Sequence, residues 1–60
     1  MKIEIYGLDK KKISIITKML DDRNIKYDVF KKVRFAGDPT IVIDNIIYNY
    51  TQAYYYIKDI

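Results

Sequence analysis

The chain has no cysteine and no histidine, and these two absences remove most of the ways in which a small protein does chemistry. Without a thiol, the chain by itself offers no disulfide exchange, no thiolate nucleophile, no thiolate zinc site and no iron–sulfur ligation. Without imidazole, the usual neutral-pH proton shuttle and the commonest nitrogen ligand for transition metals are also missing. No enzyme activity, metal or cofactor is therefore expected. Proline occurs once, at Pro39, and there is no polybasic tail. No apolar run approaches the roughly 18 residues needed to span a bilayer. The expectation is a soluble cytoplasmic protein.

What is present fits one domain, residues 1–60. A chain this short buries only about 60% of the surface its unfolded form exposes, so a stability on the order of 3 to 9 kcal/mol is expected, with no disulfide to add to it. Eleven basic residues against eight acidic ones give a net charge of +3. That charge permits weak attraction to nucleic acid or acidic proteins without demanding it. Enrichment in Ile, Lys, Tyr, Asn and Asp is what AT-rich coding sequence gives, which suits a phage or a low-GC bacterium.

Hydrophobic periodicity divides the chain into six elements. Lys2-Ile3-Glu4-Ile5-Tyr6 alternates with period two, placing Ile3 and Ile5 on one face and Lys2, Glu4 and Tyr6 on the other. A helix is predicted from about Lys11 to Arg23. Asp9 would be its N-cap, Ile13, Ile16 and Leu20 with Ile15 and Met19 its apolar face, and Asn24 its left-handed stop. Ile25 to Val29 alternates again, and a strand–helix–strand unit within one sheet should have its strands parallel and its crossover right-handed. Ile41-Val42-Ile43, the turn pair Asp44-Asn45 and Ile46-Ile47-Tyr48 read as a hairpin. From Thr51, an acceptable N-cap, a last helix would bury Ala53, Tyr56, Ile57 and Ile60 and turn Tyr54 and Tyr55 away.

The junction Tyr6-Gly7-Leu8-Asp9-Lys10-Lys11-Lys12-Ile13-Ser14 joins the clearest strand to the clearest helix. It resembles the active-site loop of glutaredoxins and related thioredoxin-like small redoxins. In an ungapped match, Tyr6-Gly7 falls on the aromatic and small residue that end their first strand, and Lys11-Lys12-Ile13-Ser14 falls on their Cys-Pro-Tyr-Cys box. Gly37-Asp38-Pro39-Thr40 followed by Ile41-Val42-Ile43-Asp44 resembles the cis-proline loop entering the third strand, and Asn49-Tyr50-Thr51-Gln52-Ala53 the start of the last helix. The resemblance implies a minimal α/β redoxin-like domain of order β-α-β-β-β-α. Lys31 to Gly37 is too short for the second helix of the family, which should be missing or reduced to a turn. That leaves a two-layer fold with helices on one side, in agreement with the polar Lys2, Glu4, Lys26 and Asp28.

On this match Lys11 and Ser14 occupy both thiol positions, which implies a redox-inactive protein. A serine–lysine dyad of these two is disfavoured, because a basic lysine must be desolvated and Lys11 has lysine neighbours at an exposed helix start. The resemblance also implies a cis Asp38–Pro39 bond. Glutathione recognition has lost its usual residues. Leu8 stands where a lysine is common, Tyr48-Asn49 where a glycine pair lies, and Thr51-Gln52 where acidic residues follow.

Lys10, Lys11 and Lys12 crowd a helix start, where positive charge is disfavoured by about 0.3 to 1 kcal/mol each at low salt. They are therefore not there to stabilise the helix, and an anionic or acidic partner is the functional reading, against a plain solvated charge run. The leading expectation is a protein-binding module whose rim comprises Lys10, Lys11, Lys12, Asp38 and Pro39 with Tyr48 and Tyr50. A second is weak binding of single-stranded nucleic acid through the lysines and the tyrosine cluster Tyr48, Tyr50, Tyr54, Tyr55 and Tyr56. A third is residual non-covalent binding of glutathione or a thiol peptide. A homo-oligomer through the uncovered sheet face is also expected if Tyr6, Phe30, Phe35 and Val42 cluster there.

Overall fold

The structure, a computed structural model, describes residues 1–33 and 39–60. The described residues form a small α/β fold with a four-stranded mixed sheet and two helices, in the order β1 (Ile3–Tyr6), α1 (Lys10–Asp22), β2 (Asp28–Phe30), β3 (Thr40–Ile43), β4 (Ile46–Tyr48) and α2 (Tyr50–Lys58). The strands lie side by side as β2-β1-β3-β4, with β1 parallel to β2 and antiparallel to β3, and β3 antiparallel to β4. This arrangement is compatible with a thioredoxin-like fold and not specific to it. No helix among the described residues is long and apolar enough to cross a membrane.

Alternation decides what the sheet buries. Ile3 and Ile5 of β1 stand beside Ile43 and Ile41 of β3, and all four side chains are essentially inaccessible. Ile16 and Leu20 of α1 and Ala53 and Ile57 of α2 close over them, so both helices cover the same face. On the opposite face Tyr6 stacks on Phe30 with ring centroids 4.8 Å apart, and the Tyr6 hydroxyl donates to Glu4 at 3.2 Å. Val42 lies on that face too, yet is only 4% exposed, so it offers no surface for self-association. Phe35, the fourth residue of that expected cluster, lies outside the described residues.

The ends of α1 follow from its sequence. The Asp9 carboxylate accepts the Lys12 N–H at 2.8 Å, as an N-cap should. At the other end Asn24 takes φ 58°, and the bonds Ile25 N–H to Leu20 O (2.9 Å) and Asn24 N–H to Asp21 O (3.0 Å) complete a left-handed Schellman stop. Arg23 adds a clasp. Its guanidinium donates to Met19 O at 3.1 Å and Lys58 O at 3.2 Å, tying together the carbonyl ends of both helices. In the hairpin, Asp44 and Asn45 both take positive φ (49° and 69°), the geometry of a two-residue type I′ turn.

Several expectations are corrected. The last helix is capped by Asn49, not Thr51: the Asn49 side chain accepts the Gln52 N–H at 2.8 Å, and the Gln52 side chain accepts the Asn49 N–H at 3.0 Å. Ala53 and Ile57 are buried as expected, but the stripe widens toward the start of the helix, so Tyr50 and Tyr54 pack against the core while Tyr56 and Ile60 are exposed. Ile15 is exposed on α1 as well, because Ile16 and Leu20 already fill the contact with the sheet. Strand β2 pairs only from Asp28, since the Schellman stop occupies the chain as far as Ile25; Ile25 and Tyr27 still pack on the core.

Candidate functional site

The strand directions bring three separated parts of the chain to one end of the sheet. β1 leads through Gly7 into α1, β3 begins there just after Pro39, and β4 ends there at the cap of α2. Gly7 makes the first of these connections. It has φ 71°, and a Cβ at this position would lie 2.9 Å from Val33 Cγ2, so only glycine fits without displacement. Its N–H is held by Phe30 O at 3.2 Å.

Between these segments lies a shallow groove of about 410 Å³ lined by Leu8, Lys12, Pro39, Asn49, Tyr50 and Thr51. Leu8 is a buried floor and Tyr50 is half-buried. The Lys12 ammonium stands 5.3 Å from the centroid of the Tyr50 ring, within the range of cation–π attraction. The Tyr50 hydroxyl is held above its usual pKa, first by burial and then by the fields of Tyr54 and Asp9, so it stays a neutral hydrogen-bond donor throughout the physiological range.

Of the residues singled out in the sequence, Lys12, Pro39 and Tyr50 meet in this groove. Lys10 and Lys11 are exposed on the same first turn of α1 and flank it, without lining it. Ser14 is exposed one turn farther along α1, and its carbonyl accepts the Thr17 hydroxyl at 3.4 Å. Tyr48 does not join them: it packs on the core and against Tyr56, with centroids 5.4 Å apart. Asp38 and the Asp38–Pro39 bond lie outside the described residues.

The expected binding rim omits Leu8, Asn49 and Thr51, although the redoxin resemblance sets all three at the position of the glutathione pocket. Asn49 carried a legible signal, because Asn followed three positions later by Gln52 is a capping-box pattern. Beside the groove, Tyr50, Tyr54 and Tyr55 form a run of touching rings at 6.2 Å and 5.3 Å around a second hollow of about 330 Å³.

A larger hollow, about 660 Å³, opens at the other end of the sheet between the end of α1 and the entry to β2. Its charges are balanced, with Lys2 and Lys26 against Asp21 and Asp28, and Asp21 already accepts the Tyr27 hydroxyl at 3.1 Å. It is broad and polar, without the convergence of apolar floor, ring and cation found in the groove. Among the described residues no three Asp, Glu, His or Cys side chains cluster as a metal site would need.

Comparison with protein-family models, with curated proteins and with solved structures finds no match to this chain.

Proposed function

We propose that this chain is a redox-inactive, glutaredoxin-like protein-binding module, and that the groove at the start of α1 receives a segment of its partner. The observation that carries the reading is the meeting of Lys12, Pro39 and Tyr50 over the apolar floor of Leu8. In the redoxins that the chain resembles, the residues before the cis-proline pair with bound peptide opposite the thiol box. Here Lys11 and Ser14 take the place of that box, so recognition without thiol exchange is what remains. The element order and the strand order support the same scaffold. The residues in and beside the groove indicate the partner's chemistry: an extended segment with an apolar side chain for Leu8 and Tyr50 and carboxylates for Lys10, Lys11 and Lys12. Its composition fits an accessory or regulatory protein of a phage or a low-GC bacterium, working in the cytoplasm.

Affinity capture from the native organism tests this, with the chain itself and with Lys12→Glu and Tyr50→Ala as bait. A protein retained by the first and lost from both variants is the expected outcome. A set of captured proteins that neither substitution changes would sink the proposal.

A second reading, weak binding of single-stranded nucleic acid, is favoured by the contiguous rings of Tyr50, Tyr54 and Tyr55 beside the three lysines. Bases stack on such rings, and the lysines would contact phosphates. Oligonucleotide affinity should then fall steeply with salt, and undetectable binding at low ionic strength removes this reading.

A further inference from the structure

The two edges of the sheet are defended unequally. β2, at one edge, is flanked by Lys26, Lys31 and Lys32 and carries Asp28, charges of the kind that keep an edge strand from pairing. β4, at the other edge, reads Ile46-Ile47-Tyr48 between Asn45 and Asn49, with no charge, no proline and no bulge. Ile46 is 57% exposed and Ile47 56%.

The type I′ turn fixes which backbone groups β4 leaves open. The turn closes on the pair Ile43–Ile46, so the Ile46 N–H and C=O point at β3. By alternation the next residue, Ile47, turns its N–H and C=O outward, and neither has a partner among the described residues. One strand residue is thus left with a free donor and a free acceptor, and an exposed isoleucine side chain.

We propose that this edge binds a second copy of the chain, β4 against β4 in antiparallel sense, with the two-fold axis beside Ile47. A residue that offers both a donor and an acceptor satisfies itself across such an axis: the two Ile47 residues exchange both N–H···O bonds. The same register sets Ile46 opposite Tyr48 of the second copy, an apolar pair on the helix-covered face. It also carries the Asp44 turn of each chain toward the start of α2 in the other, where Lys12 stands over Tyr50. The Asp44 carboxylate, which accepts the Lys2 N–H of its own chain at 2.8 Å, keeps its negative charge on this side of the seam and offsets part of the net +3 of each chain. The seam is small, at the low end of stable interfaces below about 1,200 Å² in total, so the dimer forms in a concentration-dependent way. It joins two four-stranded sheets into one continuous sheet.

Because the chain has no cysteine, Ile47→Cys introduces a single thiol for a geometric test. Residues paired across an antiparallel two-fold axis have Cα atoms about 5.5 Å apart, within the range a disulfide spans. Under mild oxidation Ile47→Cys should form a disulfide dimer, whereas Val29→Cys on the other edge should stay monomeric. Sedimentation of the unsubstituted chain should show dimer growing in as its concentration approaches about 1 mM, and Ile47→Lys should weaken it at least tenfold while keeping the native circular dichroism. Monomer alone at that concentration overturns the proposal. So does equal cross-linking of the two cysteine variants, or preferential cross-linking between them, which would mean an open β4-to-β2 chain.

Discussion

The Lys12 ammonium lies 5.3 Å from the centre of the Tyr50 ring, joining the first turn of α1 to the first turn of α2 across the groove. Two opposed effects meet at Lys12. A lysine in the first turn of a helix is disfavoured by about 0.3 to 1 kcal/mol, while an exposed cation–π contact returns about 0.5 to 1 kcal/mol. The two nearly cancel, so Lys12→Ala should change stability by less than about 0.5 kcal/mol. Lys10 is exposed on the same turn, and the first turn holds no acidic residue. Lys10→Glu should therefore stabilise the chain by about 0.5 to 1 kcal/mol at low salt, with the gain shrinking as salt is added. Urea unfolding at two ionic strengths checks both. A stabilising Lys10→Glu that also weakens partner capture would mean that the lysines are kept for binding.

Glutathione should not bind in the groove. On the proposed redoxin-like reading, an anionic tripeptide at this end of the sheet would use free N–H groups at the helix starts and a lysine at position 8. The Lys12 N–H is already taken by Asp9, the Gln52 N–H by Asn49 and the Asn49 N–H by Gln52. Position 8 is the buried Leu8. An NMR titration with reduced glutathione should leave the amide signals of Leu8, Lys12 and Thr51 unmoved, and saturable shifts there would contradict this.

The sheet and α1 were legible in the sequence because their signals are local. Strict alternation marked Ile3 and Ile5, Asp9 and Asn24 marked the ends of α1, and Asp44-Asn45 marked the hairpin turn. The last helix was legible in existence and in its buried pair Ala53 and Ile57, but not in the edges of its apolar stripe. Thr51 and Asn49 are both good caps, and local sequence alone does not choose between them. The reciprocal bond with Gln52 decides the choice, and the stripe widens toward Tyr50 and Tyr54 where Tyr56 was expected. The groove was half legible. Lys12 and Pro39 stand out in the sequence, but that Leu8 lies beneath them depends on how three distant segments meet. The Arg23 clasp to Lys58 O spans 35 positions and leaves no mark in local periodicity.

Stability should be nearly flat with pH through neutrality, since no imidazole titrates there. It should change at the alkaline end, through Tyr27. Partial burial, and then the Asp21 carboxylate that accepts its hydroxyl, hold the Tyr27 pKa above the ordinary 10.0. The unfolded chain therefore gives up this proton first as pH rises. Tyr27 contributes fully below about pH 10, and its contribution is lost as pH climbs through the higher value of the folded state. Melting temperatures at neutral and alkaline pH should fall less in Tyr27→Phe than in the unsubstituted chain. Equal losses would show that the tyrosine bond to Asp21 does not persist in solution.

Gly7 offers the sharpest test of how the groove is built. Its φ of 71° is left-handed, which adds about 1 to 2 kcal/mol of strain for any residue with a Cβ. A methyl there would also sit 2.9 Å from Val33 Cγ2 and 3.4 Å from Val33 Cα. The Val33 side chain is exposed and can turn away; its backbone cannot do so without moving the chain after β2. Gly7→Ala should therefore destabilise by about 1 to 3 kcal/mol, a large share of the stability of so small a domain. Asn45 takes a similar φ of 69° at the exposed hairpin tip, and Asn45→Gly should be neutral or stabilising by up to about 1 kcal/mol. Denaturant unfolding of the two variants separates backbone strain alone, at Asn45, from strain combined with a steric clash at the junction that aims α1 into the groove. If Gly7→Ala proved as harmless as Asn45→Gly, the approach of Val33 would not be fixed, and the junction would not be what positions Lys12 over Tyr50.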